Sequence, residues 1–102
     1  TLSSSSAASD VYKRQDLYDC ARAAENQVYL VSSNQTGVLG GLRFLGQAKV
    51  VDPAGEIVAK TWAKGGLAVA EADVSADVAR ARRSLNHLAQ RAEHAYRLTA
   101  PA

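Results

Sequence analysis

Covalent chemistry in this 102-residue chain would have to start from Cys20, its single cysteine. A thiolate nucleophile needs a neighbouring base, and a cation or hydrogen-bond donors that stabilise the charge developing on the substrate. Cys20 instead recurs with Leu17, Ala21 and Ala24 at helical spacing on one apolar face. The pattern predicts a buried structural thiol, and a lone cysteine excludes both an internal disulfide and a CxxC metal site.

The polar residues Glu25, Asn34 and Gln35 flank the apolar run 27–33 and are the candidate pocket residues. Glu25 is either an acid that steers a pocket from one layer behind it or the partner of an arginine, Arg22 at i, i+3 or another one, and the ion pair is favoured. Asn34 and Gln35 end the run, where they either edge a ligand pocket or satisfy backbone groups of the loop. Both interpretations of Asn34 and Gln35 stay open.

Metal and cofactor sites are not predicted. His87 and His94 lie two helical turns apart, which is too far for an i, i+4 metal pair, and no third ligand stands in a recognisable motif. Solvated or pocket-edge histidines are the expectation. Gly40-Gly41 belongs to neither phosphate-binding glycine pattern, so no nucleotide cofactor is expected.

Composition excludes several classes of protein. The chain is 47% hydrophobic and 22% charged, which is typical of one globular domain. Its apolar runs are far shorter than the ~20 residues of a membrane span. A net charge of +2, with no aromatic residues among the arginines at 80–83, argues against nucleic acid. One cysteine is typical of a reducing compartment, so a cytoplasmic location is expected.

The first half of the chain predicts a helix that passes directly into a strand. Residues 17–24 carry the apolar helical face, and 27–33 is β-prone and apolar on both sides. Gly37, Gly40 and Gly41 then predict an irregular loop.

The second half predicts a hairpin, a strand and a long helix. Residues 44–52 and 56–62 flank Asp-Pro-Ala-Gly, a favourable turn sequence. Residues 67–74 form a further predicted strand, and Ser75 is expected to cap a helix. The apolar stripe of that helix comprises Val78, Ala81, Leu85, Leu88, Ala92 and Tyr96.

Residues 1–15 differ in character from the rest. They contain a serine cluster without helical periodicity, which predicts an unstructured leader. The segment "SAASDVYKRQ" is similar to translated sequencing-adapter text, so the leader is expected to be non-native. The expected domain is therefore 16–102.

Four segments, in this order, resemble the carbon–nitrogen hydrolase (nitrilase) superfamily. They are "RAAENQVYLVSSNQTG" (22–37), "FLGQAKVVDPAGEIVAK" (44–60), "GLAVAEADV" (66–74), and the arginine-rich stretch from "RRSLNHL" to Tyr96. One departure is Ala48, where the family often has serine. The resemblance implies an α/β fold, namely the C-terminal part of a four-layer α-β-β-α sandwich in the order helix, strand, hairpin, strand, helix.

The resemblance also implies an activity. Family members hydrolyse non-peptide carbon–nitrogen bonds in amides, carbamoyl compounds or nitriles. Glutamate, lysine and cysteine act in that chain order, without a cofactor, and the parent is expected to be a homo-oligomer. No glutamate precedes Cys20, and the one earlier lysine, Lys13, lies in the leader. No catalytic residue is therefore assigned in this chain.

Two hypotheses follow. The first is the C-terminal fragment of a nitrilase-type hydrolase, inactive by itself. The alternative is an autonomous small α+β interaction or binding module without catalysis.

Overall fold

The computed structural model describes residues 4–61 and 66–101, and it describes the backbone alone for residues 4–12, Arg43 and Leu45. The elements, in chain order, are α1 (Ser4–Asn26), β1 (Leu30–Ser32), β2 (Thr36–Leu39), β3 (Leu42–Leu45), β4 (Lys49–Val51), β5 (Ile57–Lys60), α2 (Val74–Ala81) and a 3₁₀ turn (Glu93–Ala95). This arrangement confirms the predicted α/β class, although individual elements differ from the prediction.

Helix α1 begins before the predicted domain boundary. The leader was predicted to be unstructured, whereas the helix includes residues 4–15. Extending an existing helix adds one hydrogen bond per residue and needs no new nucleus. Alanine, lysine, arginine and glutamine in this segment are also good helix formers. The prediction that the leader has no regular structure is therefore wrong for residues 4–15.

The backbone conformation at the end of α1 explains how this helix passes directly into a strand. Gln27 has a φ of 54°, and the Val28 N–H donates to the Ala23 carbonyl at 3.1 Å. A left-handed residue followed by this six-residue bond is the Schellman helix end, which usually has glycine in the left-handed position. Only three residues separate Asn26 from β1, so the reversal leads straight into the sheet.

The main sheet has three antiparallel strands in the order β1-β4-β5, and α1 packs on one face. Leu30 pairs with Val51, and Ser32 pairs with Lys49, which in turn pairs with Lys60. Ala23 and Val51 are completely buried between helix and sheet. On the opposite face Val31 is 74% exposed, so the sheet is covered on one side by the described residues.

The predicted turn between β4 and β5 is confirmed. The Gly55 N–H donates to the Asp52 carbonyl at 2.9 Å, and Asp52 Oδ1 accepts from the Ala54 and Glu56 N–H groups. Gly55 has a φ of 89°, and a Cβ built there would lie 3.0 Å from Ala24 Cβ and from the Cys20 carbonyl oxygen. The turn therefore requires glycine for both its backbone conformation and its close approach to α1.

Residues 36–45 form a second hairpin where an irregular loop was predicted. Gly40 and Gly41 are its two turn residues, with φ values of 58° and 81°. Positive φ at both central residues is the turn that matches the twist of antiparallel strands. Gly46 and Gln47 then interrupt the predicted strand 44–52, which is divided into β3 and β4.

The C-terminal half contains less regular structure than predicted. Residues 66–73 form no strand, and α2 is capped by Asp73, whose Oδ1 accepts from the Ala76 N–H at 3.1 Å, rather than by Ser75. The helix ends at Ala81, and the Gln27 side chain donates to the Ala81 and Leu85 carbonyls at 2.8 and 2.6 Å, which satisfies carbonyls beyond the helix end. The predicted apolar stripe therefore does not lie on one helix, and residue 62 lies outside the described residues.

Replacing Gly55 by alanine should destabilise the fold more than replacing Gly37 does. The two glycines have nearly equal φ values, 89° and 93°, but no atom lies within 4 Å of a Cβ at Gly37. Both substitutions therefore introduce similar backbone strain, and only Gly55→Ala adds crowding against α1. We expect Gly55→Ala to lower the free energy of unfolding by about 1 kcal/mol or more beyond Gly37→Ala. Equal effects in urea unfolding would contradict the close contact.

Candidate functional site

Four charged side chains meet between α1 and the sheet, and we call Asp16, Asp19, Lys49 and Lys60 the charge cluster. Lys49 Nζ lies 2.7 Å from Asp16 Oδ1 and 2.7 Å from Asp19 Oδ2, and Lys60 Nζ lies 2.6 Å from Asp16 Oδ2. The Lys49 side chain is 1% exposed. It is a buried cation with two carboxylate partners.

Local structure explains why these side chains meet. Asp16 and Asp19 are three residues apart on α1, which places both on one face of the helix. Lys49 and Lys60 are directly opposite each other in the β4–β5 register, so their side chains leave the same face of the sheet. The Ser32 hydroxyl and the Gln15 amide complete the shell by donating to Asp19 at 3.3 and 3.0 Å.

Burial and charge act in opposite directions on the cluster. Burial alone would raise the pKa of Asp16, but hydrogen bonds from Lys49 and Lys60 outweigh it and lower that pKa below its ordinary value of 3.8. Burial would lower the pKa of Lys49, but hydrogen bonds to Asp16 and Asp19 raise it above 10.5. Both groups are therefore ionised at neutral pH, and Lys49 has no free pair of electrons with which to attack or accept a proton.

A polar cavity of about 250 Å³ opens beside the cluster. Its lining residues carry hydroxyl, amide or ammonium groups, apart from one glycine, and comprise Gln15, Ser32, Ser33, Asn34, Gly46, Gln47 and Lys49. Gln47 Oε1 is buried and accepts no hydrogen bond from the described residues. The wall of this cavity is therefore polar throughout, apart from Gly46.

The structure separates the three predicted pocket residues. Asn34 lines the cavity, and its Oδ1 accepts from the Gln35 N–H at 2.9 Å, which also satisfies a loop backbone group. Gln35 is exposed and does not line the cavity. Glu25 is exposed near the end of α1 and forms no ion pair within the described part of the chain, with Arg22 or any other residue.

Cys20 is partly buried in α1 as a free thiol. Burial raises the pKa of this thiol, and the negative charge of Asp16 raises it further. Reactive cysteines have a lowered pKa in an electropositive site, which is the opposite environment. The neighbours of Cys20 therefore keep it protonated at neutral pH.

A second cavity, of about 210 Å³, lies between the start of the sheet and α2. The Tyr29 hydroxyl donates to Asp77 Oδ2 at 2.5 Å, and this bond raises the pKa of Tyr29 to about 12. Arg80 Nη1 lies 3.1 Å from Asp77 Oδ1. These polar groups satisfy one another, so the contact positions α2 against the sheet.

The described residues, 4–61 and 66–101, contain no group of three or more His, Cys, Asp or Glu side chains arranged around a metal position. His87 and His94 are both exposed. None of the helices in these ranges is both long and apolar enough to cross a bilayer.

The charge cluster and Gln47 were missed by the sequence analysis. A lysine within the apolar run at 48–51 was the available signal, because lysine is almost never fully buried without a partner. Asp16 and Asp19 at i, i+3 were a second signal. Neither pattern identifies its partner, since the pairing depends on how α1 docks on the sheet.

The chain is similar to carbon–nitrogen hydrolases both in sequence and in structure. Residues 11–83 match the family model described as carbon–nitrogen hydrolase, a range that includes all five strands and α2. A carbon–nitrogen hydrolase from Helicobacter pylori G27 is similar in structure, with a TM-score of 0.69 and 29% sequence identity. The match covers 78% of this chain and 31% of that one, so this chain spans less than a third of its length. None of the curated proteins compared with the chain matches it.

Replacing Lys49 by methionine should destabilise the protein more than replacing Lys60. Lys49→Met leaves two largely buried carboxylates facing an apolar side chain, a change that typically costs about 3 kcal/mol. Lys60→Met leaves Asp16 still paired with Lys49, so we expect a loss of about 1 kcal/mol. Urea unfolding of both variants at pH 7 measures the difference, and a smaller effect for Lys49→Met would contradict the cluster.

Acid should reduce the difference in stability between the wild-type protein and the Lys49→Met variant. The folded-state pKa of Asp16 lies below 3.8. The stabilisation that the Asp16 carboxylate gives the folded state is therefore full above that pH and is lost as pH falls through the folded pKa. The stabilisation that the Lys49 ammonium gives the folded state is full below pH 10.5 and is lost as pH rises through its higher folded-state pKa. Melting temperatures of the two proteins should therefore converge below pH 3.8, and a constant gap down to pH 2 would contradict the ion pairs.

Proposed function

Since this chain belongs to the carbon–nitrogen hydrolase family, we propose that it is the C-terminal part of an enzyme that hydrolyses non-peptide carbon–nitrogen bonds. The observation that carries the proposal is the family match over residues 11–83, most of the chain. The proposed substrate of the parent is a small amide, a carbamoyl compound or a nitrile. Family membership favours this reading over an autonomous binding module.

In the proposed mechanism the parent uses a glutamate, a lysine and a cysteine. The cysteine thiolate attacks the carbon of the substrate, and the lysine stabilises the negative charge that develops on the substrate. The glutamate carries protons between nucleophile, leaving nitrogen and water. Departure of the nitrogen leaves a thioester, which water then hydrolyses.

Three observations support placing these catalytic residues outside the present chain. The Cys20 thiol has a raised pKa and is held next to Asp16 and Asp19. Lys49 is already paired with two carboxylates, so its charge is not available to a substrate. Glu25 is exposed and does not line the cavity that Lys49 borders. The thiol, ammonium and carboxylate that the mechanism requires thus do not converge among the described residues.

This chain would then contribute scaffold and pocket edge to the parent. We propose Asn34 as a pocket-edge residue, since it follows β1 and lines the polar cavity. Gln35 would support it through the bond between its N–H and Asn34 Oδ1. We also propose that Glu25 is an acid that steers a pocket of the parent from one layer behind it.

The remaining features of the parent are also proposals. The resemblance suggests a homo-oligomeric enzyme in the cytoplasm that acts without nucleic acid, membrane or cofactor. The sheet face that carries Val31 would face further parts of the parent, since the described residues cover the opposite face with α1 and leave Val31 74% exposed. The four-layer sandwich is the arrangement that this exposure supports.

The purified chain should release no ammonia from amides, carbamoyl compounds or nitriles. The physical reason is that a protonated thiol without a converging base and cation cannot start the reaction. Ammonia release measured with a substrate panel tests this, and Cys20→Ser is the control. Turnover by the wild-type chain that disappears in Cys20→Ser would contradict the proposal.

A hybrid enzyme gives the complementary positive test. Residues 11–83 replace the corresponding segment of the Helicobacter pylori G27 hydrolase, and turnover of that enzyme's own substrate is measured. The hybrid should retain turnover, and Cys20→Ser in the hybrid should leave it unchanged. A folded hybrid without turnover, or one inactivated by Cys20→Ser, would contradict the proposed role of this segment.

A further inference from the structure

Helix α2 is attached to the rest of the protein with little apolar packing. None of its eight residues is buried, and Val74 is 54% exposed. By contrast, α1 and β4 each contribute a completely buried apolar side chain, Ala23 and Val51. The segments on either side of α2, 66–73 and 82–87, contain no helix or strand. The position of α2 therefore depends on polar contacts.

The largest set of these contacts comes from the side chain of Gln27, which is 6% exposed. Its amide nitrogen donates to the Ala81 and Leu85 carbonyls at 2.8 and 2.6 Å. Its amide oxygen accepts from the His87 N–H at 3.0 Å. One side chain at the end of α1 thus binds both the last residue of α2 and the segment that follows it.

Two further hydrogen bonds join α2 to the same region. The Tyr29 hydroxyl donates to Asp77, and Arg82 Nη2 donates to the Asn26 carbonyl at 3.2 Å. Arg82 Nε, however, is buried without an acceptor among the described residues. A buried donor without a partner costs free energy, and water would satisfy it once α2 moved away. The docked position is therefore held by few bonds and also includes an unfavourable one-sided burial.

Open space separates α2 from the sheet between these bonds. The cavity of about 210 Å³ lies in this interface. Its wall on the sheet side comprises Tyr29, Asp52, Pro53 and Ala54, and its wall on α2 comprises Asp77, Arg80 and Ala81. Side chains that face open space forfeit the dispersion contacts of a close-packed interface. The cavity thus weakens the docking of α2 further.

We propose that residues 74–87, which we call the strap, undock from the sheet as one unit while α1 and the sheet stay folded, and that Gln27 is the residue that fastens the strap. Regions with few buried apolar contacts are those in which proteins open locally. Undocking uncovers the sheet-side wall of the 210 Å³ cavity. It involves only contacts within this chain, so it is independent of the proposed hydrolase activity.

Hydrogen exchange followed by mass spectrometry measures this opening. An eight-residue helix is too short to persist alone in water, so undocking frees the backbone N–H groups of α2 for exchange. The amides of β4, the central strand of the main sheet, report unfolding of the whole fold. Gln27→Met removes all three side-chain hydrogen bonds with little change in length. Gln35→Met is the matched control, because the Gln35 side chain is exposed.

In the wild-type protein the amides of residues 78–82 should have protection factors at least roughly tenfold below those of β4. Gln27→Met should lower the protection of α2 by a further factor of about ten, as expected for the loss of one or more hydrogen bonds, and should leave β4 within about twofold. Gln35→Met should change neither.

Three results would overturn the proposal. Equal protection of α2 and β4 in the wild-type protein would show that α2 opens only when the whole fold does. An equal loss of protection in α2 and β4 of Gln27→Met would make Gln27 a general stabiliser, and an unchanged α2 would remove its fastening role. If Gln27→Met does not fold, Tyr29→Phe takes its place: it removes the hydroxyl bond to Asp77 and should lower protection in α2 alone.

Discussion

The burial of Lys49 between two helix carboxylates is the constraint on which the rest of the structure depends. Among the described residues, the completely buried apolar side chains are those of Ala23 and Val51, which are small, so helix and sheet share little apolar surface there. A cation that is 1% exposed must keep its partners, because a buried charge without a counter-ion costs several kcal/mol. A one-residue shift of β4 would turn Lys49 to the opposite face, so the ion pairs also fix the strand register.

The features around Lys49 follow from this docking. Once α1 lies against β1 and β4, its C-terminal end must reverse within three residues, which places Gln27 in the left-handed conformation. The Gln27 side chain then lies where it can donate to the Ala81 and Leu85 carbonyls, which ties the end of α2 to the end of α1. The polar cavity opens at the Ser32–Lys49 end of the same interface. The end of α1, the end of α2 and the polar cavity are thus linked through one packing arrangement.

Local patterns were predictable from the sequence, whereas contacts between distant segments were not. Asp52-Pro53-Ala54-Gly55 predicted its turn because the turn depends only on those residues and their hydrogen bonds. The passage from helix to strand near Gln27 was likewise visible from periodicity. The prediction of a long C-terminal helix was wrong, since apolar spacing gave no sign that the chain leaves the helix after Ala81 and contacts Gln27, more than fifty residues earlier. The charge cluster was missed for the same reason, since i, i+3 acids and a strand lysine do not identify their partners.

The central claim is that Lys49 and the carboxylates of α1 are energetically coupled. A double-mutant cycle of Lys49→Met and Asp19→Asn, followed by urea unfolding at pH 7, measures this coupling without attributing it to either residue alone. The account predicts a coupling free energy above about 1.5 kcal/mol, with the double variant much less destabilised than the sum of the single variants. Additive effects, with a coupling below about 0.5 kcal/mol, would contradict it.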